Sequence, residues 1–227
     1  MLFRSTQGAL SQLGTGFALQ ASTDGICWVA RTTPFGSALP NGNSTQSVGS
    51  YTLVGATNYV GSNAGIICAS TDNINWVLRT SGFGNTAVRG FTYDGSSTYL
   101  VVGFSGIIMA STDTISWTYR TSSTTSDLYS ATYASGFTQK YLVAGASIVL
   151  SSTDSLAWTV RTTANAIGFN FPILYSNNIA LLNFSSGSAS STDGIIWTLR
   201  TTGISGQNTD RKSTRLNSSH VSESRMP

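Results

Sequence analysis

Ser111-Thr112-Asp113-Thr114-Ile115-Ser116-Trp117-Thr118-Tyr119-Arg120-Thr121 is one of five copies of a single phrase in this chain. Ser-Thr-Asp opens it, an aliphatic residue stands two places after the Asp, Trp two places later, and Arg-Thr closes it. The other copies begin at Ser22, Ser70, Ser152 and Ser191. All five tryptophans lie in them: Trp28, Trp76, Trp117, Trp158 and Trp197, at spacings of 48, 41, 41 and 39 residues. Such a period in strand-like sequence marks a radial or stacked β repeat rather than a single-core domain.

Working outward from this copy, Val88–Tyr93 is rich in aromatic and β-branched residues and ends at Asp94-Gly95, a hairpin signal. Tyr99–Phe104 is an apolar run bounded by small residues, and Ile107–Ala110 is a third short run before the Ser-Thr-Asp turn. Ile115–Thr121 completes a set of four antiparallel strands, the content of one propeller blade. The expected fold is therefore an all-β propeller of four-stranded antiparallel blades, about five repeats in an incomplete ring. The units fall near residues 1–33, 46–81, 87–122, 126–163 and 166–202. Before the first Ser-Thr-Asp, Leu13–Gln20 supplies one strand, so the first unit is expected to lack a strand.

Within the fourth strand Ile115, Trp117 and Tyr119 alternate with Ser116, Thr118 and Arg120, which assigns the first set to one face. The recurring indole reads as the wedge between neighbouring blades. Asp24, Asp72, Asp113, Asp154 and Asp193 read as turn residues whose carboxylates take the following amides. Gly25 and Gly194 follow two of them, but Thr114 and Ser155 hold the same place, which implies that no left-handed backbone is required there. Arg31, Arg79, Arg120, Arg161 and Arg200 read as surface arginines whose stems cover apolar area.

The phrase resembles the Asp-box (BNR, sialidase-type) repeat, Ser-x-Asp-x-Gly-x-Thr-Trp, at a hairpin between outer strands of propeller blades. It is closer still to the Ser-x-Asp-Gly-x-x-Trp variety of uncharacterised bacterial and phage repeat proteins. In this chain Asp and Trp are four apart, one fewer than in the Asp box, and the glycine is displaced or absent. The resemblance covers residues 21–202. It implies structural roles, away from any catalytic face, for Ser22, Asp24 and Trp28, for Ser70, Asp72 and Trp76, and for Ser111, Asp113 and Trp117. The same holds for Ser152, Asp154 and Trp158 and for Ser191, Asp193 and Trp197.

Residues 210–227 (DRKSTRLNSSHVSESRMP) break every habit of the repeats and resemble a translated sequencing-library adapter; they are expected to be a non-native, disordered tail. Ahead of them stand eight basic side chains and seven aspartates, with no Glu and no His. The basic residues are spread one per repeat rather than clustered, which argues against nucleic acid. No apolar run reaches the ~18–20 residues of a membrane span, so no membrane insertion is expected. Cys27 and Cys68 fall at different repeat positions and define no metal site; neither metal nor cofactor is expected.

Apart from the turn aspartates only Asp94 and Asp127 remain before residue 210, too few groups for paired-carboxylate or triad chemistry. No catalytic residue is assigned. The long spacing between the first two tryptophans places an insertion at Pro34–Gln46, where Phe35, Asn41 and Asn43 are candidate binding residues. The function expected is a non-catalytic binding or structural module presenting loops to a protein or glycan partner. A phage tail or virion, or a bacterial cell surface, is the expected setting. The alternative is a fragment of a sialidase-like glycoside hydrolase whose catalytic residues lie in missing blades.

Overall fold

The computed structural model describes residues 10–13, 16–21, 29–31, 42–56, 65–84, 86–161, 172–184 and 187–200. Strands fill it, and the one helical element among the described residues is the 3-10 turn Phe104–Gly106. The first unit contributes β1 (Leu10–Leu13), β2 (Gly16–Ala21) and β3 (Val29–Arg31), joined in that order. A four-stranded sheet follows from β4 (Gly42–Val48), β5 (Tyr51–Ala56), β6 (Ile66–Ser70) and β7 (Val77–Arg79). The next comprises β8 (Val88–Tyr93), β9 (Tyr99–Gly103), β10 (Ile108–Ser111) and β11 (Thr118–Arg120). Then come β12 (Leu128–Tyr133), β13 (Tyr141–Gly145), β14 (Ile148–Ser152) and β15 (Thr159–Arg161). The last is β16 (Leu174–Ser176), β17 (Ile179–Phe184), β18 (Gly187–Ser191) and β19 (Thr198–Arg200).

Each four-stranded sheet is an antiparallel meander in sequence order, and no described strand pairs across units. The sheets stack face to face, with β4 beside β8, β8 beside β12 and β12 beside β16. The first strand of each sheet is thus innermost and the fourth is the outer rim. This is a β-propeller of four-stranded blades, and among the described residues no sheet closes the ring. The meander puts the first and third connections of every blade on one side, here the hairpin face. The second connection and the link to the next blade share the opposite side, the linker face.

Buried residues run without alternation along the middle strands, as in Tyr99–Gly103 and Tyr141–Gly145, because both sheet faces are covered by neighbours. Leu53, Ile67 and Ala69 meet Val88, Phe91, Val101 and Met109 between the second and third blades. Leu100, Val102, Ile108 and Ala110 meet Leu128, Val143 and Leu150 at the next interface. Leu142, Ala144 and Val149 meet Ala180, Leu182 and Ala189 at the last one.

Strand limits differ from the sequence expectation mainly at the rim. The fourth strand is three residues, Thr118–Arg120, and not 115–121, because bends occupy residues 112–116. The alternation read through Ile115, Trp117 and Tyr119 fails with it. Ile115 and Tyr119 are 53% and 57% exposed, and Ile74, Leu156, Val160 and Leu199 are exposed as well. Blades diverge with distance from the axis, so at the rim only a side chain with the reach of indole bridges the gap. The first unit holds a hairpin, Leu13 facing Gly16, in place of one strand over 13–20.

Candidate functional site

The repeated phrase forms the same hydrogen-bond set in each of its four described copies. In the third unit Ser111 Oγ accepts the Thr114 amide at 2.9 Å and donates to Asp113 Oδ1, also at 2.9 Å. Asp113 Oδ1 then accepts the amides of Ile115 (2.7 Å) and Ser116 (2.9 Å). Ser70 with Asp72, Ser152 with Asp154 and Ser191 with Asp193 repeat these bonds. The amides of Asn75 and Ile74 hold the Asp72 carboxyl well below the usual range, as those of Ser116 and Ile115 hold Asp113.

One sequence inference is overturned at this turn. Asn73, Thr114, Ser155 and Gly194, the residues after the aspartates, all have left-handed backbones, with φ of 59°, 62°, 64° and 74°. Three anchored amides over-determine the turn, so even a β-branched Thr is held in a conformation costing roughly 1–2 kcal/mol. Ser22, Asp24 and Trp28 lie outside the described residues, as does Cys27. Cys68 is a buried free thiol that burial pushes up to about 12.

Three of the four described indoles pack at the interface with the blade before their own, and Trp76 packs on strands of its own blade. Trp197, 5% exposed, packs with Leu142, Ala144 and Val149 of the preceding blade. Trp158, 7% exposed, packs with Leu100, Val102 and Ile108. Trp117 lies against the cluster shared by the second and third blades, and Trp76 against Val54 and Cys68. All four Nε1 atoms are buried with no acceptor among the described residues. Burying an indole contributes roughly 4–6 kcal/mol by area, against about 1–3 kcal/mol for an unmet N–H, so packing wins. On the rim Arg161 Nε donates to Ser151 Oγ (2.6 Å) and Arg200 Nε to Ser190 Oγ (2.7 Å). Ala69 and Ala110 hold the matching places before Ser70 and Ser111, and the Nε atoms of Arg79 and Arg120 are without partner.

On the hairpin face the polar groups are spent in joining blades. Asp94 Oδ1 accepts the amides of Ser96, Ser97 and Thr98, and its Oδ2 accepts the hydroxyl of Tyr141 in the next blade at 3.0 Å. Burial pushes the Tyr141 phenol up to about 12. Tyr175 accepts the Gly136 amide of the preceding blade and donates to Asn178 Oδ1. Tyr93 stacks on Tyr99 at 4.4 Å, and Tyr99 meets Tyr51 of the preceding blade edge-on at 5.9 Å.

The linker face is different, because there the innermost strands bulge at one common place. Val88 faces Gly103 and Gly90 faces Val102, so Arg89 is an extra residue without a cross-strand partner. Tyr129 is the extra residue between Leu128 and Ser130, and Asn43 the one between Gly42 and Ser44. A bulge takes a residue out of the ladder and re-aims it. The guanidinium of Arg89 lies 4.4 Å from the centre of the Phe104 ring, and Phe104 meets Tyr129 of the next blade perpendicularly at 5.9 Å. Arg89, Phe104, Asp127 and Tyr129 are all half-buried. Burial lowers the Arg89 pKa, opposed by Tyr129 and Asp127. Asp127 Oδ1 accepts the Ser105 amide at 3.0 Å, which ties the second connection of the third blade to the fourth blade.

An open groove of about 680 Å³ lies on the same face, lined by Ser105–Ile107 and Tyr119–Thr125. Gly106 fixes one of its walls, since a Cβ there would stand 1.9 Å from the Thr124 carbonyl oxygen; on the same face a Cβ on Gly103 would stand 2.1 Å from that of Ala87. Of the predicted binding residues, Phe35 and Asn41 lie outside the described residues. Asn43 is described in its backbone, at the bulge. Phe83, in the corresponding link after the second blade, is buried as a plug between blades. Arg89 and Tyr129 escaped sequence reading, although Arg89 is the one arginine between residues 5 and 209 outside the repeated Arg-Thr. Among the described residues no three His, Cys, Asp or Glu side chains gather to hold a metal ion.

Fold and site define a β-propeller repeat protein with one face used for blade joining and the other left to loops and bulges. No protein-family model matches the chain, and no curated protein matches it in sequence. Among solved structures it is similar to virginiamycin B lyase from Staphylococcus aureus, at TM-score 0.66 and 13% identity, over 82% of this chain and 64% of that one. It is also similar to YCF48 bound to a D1 peptide, at TM-score 0.58 and 13% identity, over 86% of this chain and 67% of that one. YCF48 from Cyanidioschyzon merolae gives TM-score 0.53 and 14% identity, over 81% and 64%. The chain thus spans about two thirds of the length of these structures, and at such identity the likeness concerns the fold.

Proposed function

We propose that the chain is a non-catalytic binding module of the Asp-box kind that presents its linker face to a protein or glycan partner, in a phage particle or on a bacterial surface. The observation that carries this reading is the shared bulge. One backbone irregularity recurs in three successive innermost strands, and the residue that stands at it differs each time: Asn43, Arg89 and Tyr129. Constant geometry with variable chemistry is what recognition requires and what packing does not. The Ser-Asp-Trp sets are its staples, in keeping with their uniform bonding. A YCF48 structure with a bound peptide supports a protein partner for a propeller of this shape. The setting rests on the resemblance of the repeat to phage and bacterial surface sequences.

The hydrolase alternative gains nothing from the described residues. Asp94 sits at a hairpin tip and Asp127 at the start of an innermost strand, so a strand length of roughly 20 Å separates them, beyond any carboxylate pair. Peptide and glycan arrays probed with three forms of the protein test the proposal. Binding by the wild type should be lost in Thr125→Trp, which fills the groove, and kept in Lys140→Trp on the hairpin face. Binding that survives Thr125→Trp, or turnover of a chromogenic glycoside by the purified chain, would sink it.

A further inference from the structure

Arg120 differs from the rim arginines of the next two blades. Arg161 Nε and Arg200 Nε are tied to Ser151 and Ser190 on the neighbouring strand. Arg120 has Ala110 at that place, and it makes no hydrogen bond or ion pair with any described residue. Its Nε is buried, so the two terminal nitrogens are the part of this half-buried side chain that can meet another group. Arg120 is also the one charged residue that lines the groove, between Tyr119 and Thr121. Around it Ser105, Thr121, Ser123 and Thr125 are exposed and their hydroxyls engage no described residue, whereas those of Ser122 and Thr124 are spent within the link.

Resting on the linker-face reading above, we infer that this groove takes an extended acidic peptide, and that Arg120 is the specificity residue that meets its carboxylate side chain. A guanidinium without an internal partner offers two parallel N–H groups, which match the two oxygens of a carboxylate. Tyr119 supplies a fixed aromatic wall beside it. Its hydroxyl donates to the Gly82 carbonyl of the preceding link, and the residue is 57% exposed. Tyr, Ser and Arg together are the chemistry of protein-recognising loops, which combine rigid aromatic area with adaptable hydroxyls. An extended backbone presents single N–H and C=O groups in alternation, and lone hydroxyls satisfy these one at a time. A glycan is the less favoured occupant. Adjacent sugar hydroxyls are bridged best by carboxylate and carboxamide side chains, and the groove lining holds no Asp, Glu, Asn or Gln. Asp127 approaches the groove through Ser105, whose amide its Oδ1 accepts. An acidic side chain is therefore favoured beside Arg120 and opposed beside Ser105.

The probe is a fluorescein-labelled peptide of alternating glutamate and glycine, read by anisotropy with the full chain, beside its glutamine counterpart and an oligogalacturonate. The wild type should bind the glutamate peptide, with salt weakening it, and the glutamine peptide about tenfold or more less tightly. Arg120→Gln should remove that preference, and Arg120→Lys should keep only part of it, because the fork is lost while the charge stays. Arg161→Gln takes the same charge from the rim of the next blade and should leave the preference intact. Thermal melts check that each variant is folded. The inference is overturned by equal binding of the two peptides, by a preference that survives Arg120→Gln, by an equal loss in Arg161→Gln, by tighter binding of the oligogalacturonate, or by no binding of the glutamate peptide. The wider reading fails separately. If Thr125→Trp abolishes binding of a peptide that Arg120→Gln leaves untouched, the face binds peptides and only the role of Arg120 is wrong. If Thr125→Trp leaves peptide binding unchanged, the linker-face reading falls as well.

Discussion

Ser155 and Thr114 carry left-handed backbones where Gly194 carries one at no steric cost. A non-glycine residue there gives up about 1–2 kcal/mol, and glycine returns about 0.5–1 kcal/mol of that as unfolded-state entropy. Ser155→Gly is therefore expected to raise stability by up to about 1 kcal/mol in a urea titration. Gly194→Ala should lower it, since the new Cβ would lie 2.8 Å from Leu142 Cδ2 in addition to the strain. A loss of stability in Ser155→Gly would show that the turn is not strained. A second residue-scale prediction concerns Ala110. Ala110→Ser places a hydroxyl where Ser151 and Ser190 meet their arginines, and it should stabilise by about 0.5–1.5 kcal/mol by giving Arg120 Nε an acceptor. The double variant Ala110→Ser/Arg120→Met should lose that gain; if it does not, the hydroxyl acts elsewhere.

At the scale of the strand, the close fit of the linker face depends on glycines that admit a neighbouring carbonyl. Gly103→Ala drives a methyl group onto the Ala87 carbonyl, and it is expected to cost about 1–3 kcal/mol as overpacking. The melting temperature should fall with it, read by circular dichroism. Unchanged stability would mean that the link after the second blade yields freely. This scale also separates what the sequence shows from what it hides. The inner strands were legible because both of their faces are covered and their apolar runs are uninterrupted, as in Tyr99–Gly103. The rim was not, because Ile115 and Trp117 lie two apart yet belong to a turn, where the period of two has no meaning. The site was hidden for a different reason. A bulge leaves no composition signal, and Arg89 is conspicuous only once the other arginines have been assigned to the rim.

Across the whole molecule the aspartates set the response to acid. Amide donors hold Asp72 and Asp113 low, and at Asp94 the amides of Thr98, Ser96 and Ser97 and the Tyr141 hydroxyl outweigh the opposing burial. A folded pKa below the unfolded value gives stability that is complete above the unfolded carboxylate range and is lost as pH falls toward the folded values. The melting temperature should hold from neutrality to about pH 5 and then fall steadily. Asp154→Asn should make that fall shallower, because the amide oxygen accepts the same two backbone donors without titrating. A decline that begins near pH 6 would point to groups other than these carboxylates. The direction of the tryptophans has one more consequence. Because Trp117, Trp158 and Trp197 pack toward the blade already made, the chain can close each of these interfaces while the next unit is still leaving the ribosome. Synthesis and assembly then run in the same order, and none of these three blades waits with its largest apolar side chain in water for a partner not yet translated.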